Sequence, residues 1–133
     1  MNVRWVGAEK TVYELVGGSN WFYELMDFFY EDVEMQNQIR HLYPEDLSES
    51  KRNTADFLIQ YWGGPSEYSD KRGHPRLRMR HAPFPIGGTE RDAWLASMDY
   101  ALAKMEPETR ILEAMKEYFK TAANHMVNNE KRQ

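Results

Sequence analysis

The sequence predicts an all-α domain. Two observations carry this reading. Apolar residues recur at three- and four-residue spacing along the long stretches of the chain, and no stretch combines sustained two-residue alternation with turn signals on both sides. The punctuation agrees: Gly17-Gly18, Gly63-Gly64-Pro65, Gly73-His74-Pro75, Pro83-Phe84-Pro85, Gly87-Gly88 and Pro107 separate segments with a helical pattern.

Taken in order, residues 11–16 form a short helix stopped by Gly17-Gly18. Ser19 or Asn20 caps the next helix, about 20–37, whose stripe is Phe22, Leu25, Met26, Phe29 and Val33. A turn over about 37–42 carries Ile39 and Leu42 toward Pro44. A helix from Ser48 to Trp62 follows, with Phe57, Leu58 and Tyr61 on one face and Gly63-Gly64 as its stop. Residues 63–75 read as a loop rich in Gly, Pro, Ser and charge. Arg76 to His81 is one helical turn or two, entered through Pro75 and ended before Pro83. Thr89 with Asp92 caps a helix over 90–105, with Trp94, Leu95, Met98, Ala101, Leu102 and Met105 as its stripe. The last helix, about 107–127, opens with Pro107 and turns Ile111, Leu112, Met115, Phe119, Ala122 and Met126 inward.

Composition bounds the function. The chain has 133 residues, 41% hydrophobic and 29% charged, which is one soluble globular domain without room for a second core. A net charge of −4 argues against a nucleic-acid partner, which calls for clustered positive charge. The absence of cysteine excludes disulfides, thiolate metal sites and cysteine nucleophiles. MNVRWVGAEK has no secretory pattern, and no apolar run approaches the roughly 18 residues of a membrane span, so a cytoplasmic protein without a membrane partner is expected. No P-loop, dinucleotide fingerprint, GxSxG or HExxH is present. The loop at 63–75 and the Pro/Gly stretch at 83–88 leave the helical layers short of polypeptide, a deficit that a bound cofactor would fill.

Among residues that can carry chemistry, His81 stands first. It ends a short helix pinned by proline and follows a run of arginines, Arg76, Arg78 and Arg80. A neutral imidazole so placed suits haem iron, and guanidinium groups suit carboxylates. It reads equally as a surface histidine beside a basic patch. Ser50, Thr54, Phe57 and Tyr61 share one helical face, where two hydroxyls lead into an aromatic stripe. That face can serve a polar ligand, or the hydroxyls can simply satisfy nearby backbone groups. Tyr30 and Trp94 edge their apolar stripes and can aim donors at an anion or sit as amphipathic aromatics at the core boundary; Tyr43 before Pro44 is equally ambiguous. His41, His74 and His125 form no ligand pattern with a neighbour.

Taken together, the chain resembles the truncated haemoglobins of group II, over about residues 11–128. The segments that carry the resemblance are Tyr13 to Gly18, Phe29-Tyr30, Leu42 to Leu47, Phe57 to Pro65, Tyr68, Gly73 to Phe84, Glu90 to Leu95 and His125 to Asn128. Residues 73–84 and 90–95 are the most specific of these. The resemblance implies a two-over-two helical sandwich globin fold around one haem b, preceded by an N-terminal extension (1–10) and followed by a tail (129–133). It implies His81 as the single protein ligand of the iron. Tyr30, Tyr43 and Trp94 fall on the distal aromatic positions. Ser50 falls where many globins keep a distal histidine, and Thr54 lies one turn further in. Asn53, Tyr61, Tyr68, Arg78 and Arg80 fall at positions that touch haem or its propionates. Arg78 and Arg80 lie two apart and cannot share one helical face, so one of them makes the direct contact.

The same resemblance implies reversible binding of O2 and other diatomic ligands, with Trp94 as main donor, Tyr30 second and Thr54 tuning. Two good donors would slow release by roughly one to four powers of ten, which fits scavenging, sensing or redox chemistry better than bulk delivery or transport. The alternatives are a haem redox enzyme, peroxidase-like or detoxifying NO, served by an external reductase, and a non-haem helical interaction module. Thr54 stands where Leu or Gln is frequent, Ser50 is small enough to open a route from solvent, and Asn53 is neutral where relatives carry Lys. A bacterial source and a monomer or homodimer are implied.

Overall fold

The computed structural model describes residues 10–128, apart from the side chains of Leu77 and Arg78. The proposed tail, all but the last residue of the extension, and the Arg78 guanidinium therefore lie outside the described residues. The chain is helical, as the periodicity predicts: α1 (Val12–Leu15), α2 (Ser19–Val33), a 3-10 turn (Arg40–Leu42), α3 (Ser48–Tyr61), α4 (Glu67–Arg72), α5 (Leu77–His81), α6 (Gly88–Met105) and α7 (Thr109–Met126).

The four-residue α1 is too short to hold itself. Thr11 Oγ1 accepts from the Glu14 amide at 3.2 Å, while the Glu14 carboxylate accepts from the Thr11 amide at 3.1 Å, a reciprocal cap. The Tyr13 N–H then donates to the Trp62 carbonyl at 2.9 Å and seats α1 on the end of α3. Gly63 permits this approach. Its φ is +103°, and a Cβ there would lie 2.5 Å from the Thr11 Cβ. Gly63→Ala is expected to cost about 3 kcal/mol through backbone strain and overlap. Urea unfolding should show this as a lower midpoint with an unchanged slope.

In α2, Phe22, Leu25, Met26, Phe29 and Val33 are all fully buried, each contributing about 1.5–3 kcal/mol. Two details differ from the sequence reading. Gly18 occupies the N-cap, and Ser19 is already helical, its hydroxyl paired with the Tyr13 phenol at 2.9 Å. The helix also stops at Val33 rather than near 37. Glu34, Met35 and Asn37 are exposed, so nothing remains to bury, and the Gln36 carbonyl accepts from Ile39 and Arg40 to turn the chain.

The segment read as a loop at 63–75 contains α4. Its hold is one buried aromatic, Tyr68, plus the Gln60 side-chain amide of α3, which donates to Ser69 Oγ at 2.8 Å and accepts from the Ser69 amide at 2.9 Å. One apolar residue in six leaves no periodicity to read. α6 begins at Gly88, where the Glu90 carboxylate accepts from the Gly87 amide at 2.8 Å in place of the expected Thr89–Asp92 cap. α7 begins two residues beyond Pro107, because Glu106 takes a left-handed turn (φ 49°).

α2 packs on α3 and on α6, and α6 packs on α7. The result is one helix pair, α2 with α3, set against a second, α6 with α7. Ser97 of α6, fully buried, donates to Asp32 of α2 at 2.7 Å and fixes their register. The short α4 and α5 leave a space between the pairs, with His81 at its border.

Candidate functional site

That space is a cavity of about 450 Å3. Tyr30 comes from α2, Ile39 to Pro44 from the turn, Ser50 to Leu58 from α3, Tyr68 and Arg72 from α4, His81 from α5, Glu90 to Trp94 from α6 and Tyr118 to Met126 from α7. Most of the lining is apolar or aromatic, with a few polar groups converging on it, the usual constitution of a small-molecule or cofactor pocket.

Its polar side is a linked set of hydroxyls and one indole. The Tyr30 phenol lies 3.0 Å from Thr54 Oγ1 and 3.3 Å from the Ser50 carbonyl. A carbonyl only accepts, so Tyr30 donates to Ser50 and Thr54 can donate to Tyr30. The Tyr43 ring meets Tyr30 edge-on at 5.7 Å, and the Trp94 indole borders the same space. Trp94 is steadied by edge contacts to Phe29 and Phe119 at 5.3 and 5.8 Å. Burial pushes the Tyr30 phenol up to about 12, partly offset by Thr54. Burial and the neighbouring Tyr30 push Tyr43 up further against the favourable Trp94 donor. Both phenols therefore stay protonated donors across the physiological range.

The raised Tyr30 carries a stability consequence. Between its unfolded value of 10 and its folded value of about 12, the unfolded chain gives up the phenolic proton while the folded chain keeps it. Stability contributed below pH 10 is therefore lost as pH rises through this window, by roughly 3 kcal/mol at most. Tyr30→Phe should flatten the fall in unfolding midpoint between pH 10 and 12, measured by circular dichroism in urea.

Of the residues singled out from sequence, His81, Ser50, Asn53, Tyr68, Tyr30, Tyr43, Thr54 and Trp94 all border this cavity. Tyr61 does not. It continues the α3 face past the cavity and stacks on Tyr118, ring centres 4.2 Å apart. Arg80 is likewise absent from the lining. Its guanidinium donates to the Pro75 carbonyl at 2.7 Å and the Arg72 carbonyl at 2.9 Å, closing the segment ahead of α5. The cations that border the cavity among the described side chains are Arg72 and Arg91. Arg72 belongs to the unread α4, so no sequence signal placed it. Arg91 had one: it precedes Trp94 by three on the same helix, so a helix that presents the indole presents it too. Of the α7 wall, Phe119, Ala122 and Met126 belong to the stripe the sequence shows and Ala123 does not, and nothing in that pattern distinguishes a core face from a cavity face.

The described residues contain no group of three His, Asp or Glu able to hold a bare metal ion. No described helix is long and apolar enough to cross a membrane.

The comparisons with known proteins converge. Residues 11–128 match the family model for bacterial-like globins. The group 2 truncated haemoglobin YjbI of Bacillus subtilis is 40% identical over 116 residues, covering 87% of each chain. The haemoglobin of the thermophilic phototrophic bacterium Chloroflexus aurantiacus superposes with a TM-score of 0.89 at 50% identity, covering 91% of this chain and 100% of that one. A truncated oxygen-avid haemoglobin from Bacillus subtilis superposes with a TM-score of 0.83 at 40% identity, covering 87% and 98%.

Proposed function

This chain belongs to the bacterial-like globins, in their group II truncated branch with the two-over-two fold, and from that premise we propose that it binds O2 reversibly at a haem b held by His81. Membership carries haem-based binding of diatomic gases. The finer reading rests on one observation: a single cavity brings the imidazole of α5 together with the Tyr30, Tyr43, Thr54 and Trp94 donors of the other elements.

The residues fit the group. The apolar lining suits a porphyrin ring, His81 offers one imidazole, and Arg72 and Arg91 offer cations for two propionates. Asn53 and Tyr68 border the same space as neutral polar contacts. The chain has no cysteine, so the group is held without thioether bonds, which is haem b rather than a covalently attached form. When bound, haem supplies the open iron position at which a diatomic is held.

The protein's own part is electrostatic. Trp94 brings a donor that cannot accept, Tyr43 brings a second phenol, and Tyr30 is held by Ser50 and Thr54. Donors that border the cavity would favour negative charge on a bound diatomic, Trp94 with its indole N–H and Tyr30 by giving up its bond to the Ser50 carbonyl. That favours retention over rapid delivery, in line with the oxygen-avid neighbour.

The test is to load the protein with haem, record its absorption, and measure O2 dissociation beside turnover with peroxide and with NO. An intense near-violet band with slow O2 release and weak turnover is the expected result. Fast turnover with either substrate would replace binding by catalysis, and failure to take up haem would remove the reading.

A further inference from the structure

We infer that Asn128 is a positioning residue for His81: it straps the segment 81–86 to the end of α7 and so fixes where the imidazole enters the cavity. The inference rests on the assignment of His81 as iron ligand. It adds a device outside the cavity lining: Asn128 does not border the cavity, and its side chain acts on backbone groups of the segment that carries His81.

The geometry is specific. Asn128 Nδ2 donates to the Phe84 carbonyl at 2.9 Å and to the His81 carbonyl at 3.2 Å. Its Oδ1 accepts from the Ile86 amide at 2.9 Å. Its own amide donates to the Ile86 carbonyl at 2.8 Å. One residue thus bonds both backbone groups of Ile86 and two carbonyls of the preceding turn. The His81 carbonyl also accepts from the Phe84 amide at 2.9 Å, so the strap braces a turn that is already closed.

These bonds matter because the segment is short and largely exposed. α5 is five residues long, and Met79, Ala82, Pro83, Phe84 and Pro85 are exposed. A helix this short has no stability of its own. With so many residues exposed, hydrogen bonds hold it: the Arg80 bonds to the Pro75 and Arg72 carbonyls on its near side, and the Asn128 bonds across 42 to 47 residues of sequence separation. The strap also has consequences at both ends. Upstream it reaches the residue that carries the imidazole. Downstream, Ile86 runs through Gly87 into α6, where Glu90, Arg91 and Trp94 border the cavity. Asn128 lies two residues past the end of α7, whose Ala122, Ala123 and Met126 form the wall. The imidazole, the indole helix and the wall are therefore tied at one point.

The test uses haem-loaded protein with Asn128→Ala and Asn128→Asp. Ala removes all three side-chain bonds. Asp has nearly the same shape and keeps the acceptor for Ile86, but presents a carboxylate oxygen to two carbonyls. If the strap positions His81 through hydrogen bonding, both variants shift or broaden the iron–histidine vibration of the ferrous protein. Both also release haem to a scavenging apoprotein about tenfold faster than wild type, and Asp is no better than Ala. Amide exchange quickens at Phe84 and Ile86 while α2 stays protected. Wild-type vibration and haem release in both variants overturn the inference, as does an Asp variant that matches wild type, since filling space is then enough. A fall in α2 protection with an unchanged vibration overturns it too, because the residue would then stabilise the fold without positioning His81. A wild-type protein that takes up haem but shows no iron–histidine vibration overturns the His81 assignment itself, and is told apart from the other outcomes by that spectrum alone.

Discussion

His81→Ala yields a protein that does not retain haem. Among the described residues, His81 is the one histidine that borders the cavity, so no neighbouring imidazole can take its place. Wild-type protein gains stability from haem by mass action, about 4 kcal/mol when haem is present at a thousand times its dissociation constant. For a chain of this size that corresponds to roughly 10–20 °C in melting temperature. The variant should melt at the temperature of haem-free wild type whatever haem is added, and should show no iron–histidine vibration. Its helices should persist without haem, because the buried stripe of α2 and the Asp32–Ser97 bond do not involve the cavity. A variant that keeps haem and the vibration would mean that the register of the α5 segment has been misread.

Trp94→Phe speeds O2 release about 10- to 100-fold, more than Tyr30→Phe or Thr54→Val. The substitution keeps most of the ring that packs against Phe29 and Phe119 and deletes the N–H. A hydrogen bond to a charged acceptor is worth about 1.5–3 kcal/mol, which sets the range. Tyr30 should matter less. Its proton is directed at the Ser50 carbonyl, and serving a ligand means giving up that bond. Stopped-flow displacement of O2 by CO measures all three variants. Unchanged release in Trp94→Phe with strong acceleration in Tyr30→Phe would reverse the order and make the phenol the dominant donor.

Much of this architecture is local and therefore readable. The stripe from Phe22 to Val33 repeats at helical spacing, and each of its residues is buried as that spacing demands. Glycine and proline marked the breaks because their backbone limits are properties of the residue. Where local signals compete, residue type alone does not fix the cap. Ser19, Asn20 and Thr89 are good caps by type, yet Gly18 and Gly87 hold those positions. Ser19 is drawn to Tyr13, and the Gly87 amide is satisfied by Glu90 from within the helix.

The site divides along the same line. Residue types suited to holding an iron and a polar diatomic, and the motifs that carry the family resemblance, are present in the chain itself, and family membership follows from them. The sequence by itself determined the helices, the class of fold and the chemistry on offer, because each depends on residue type and short-range spacing. Which groups share a space was decided only by the tertiary structure. Arg72 reaches the cavity because Tyr68 and Gln60 anchor α4, whereas Arg80 turns back to carbonyls of its own segment. Tyr30 meets Thr54 across 24 residues, and Asn128 meets His81 across 47. Such pairs form where packed helices close distant parts of the chain on one another, and no spacing within a single segment encodes them.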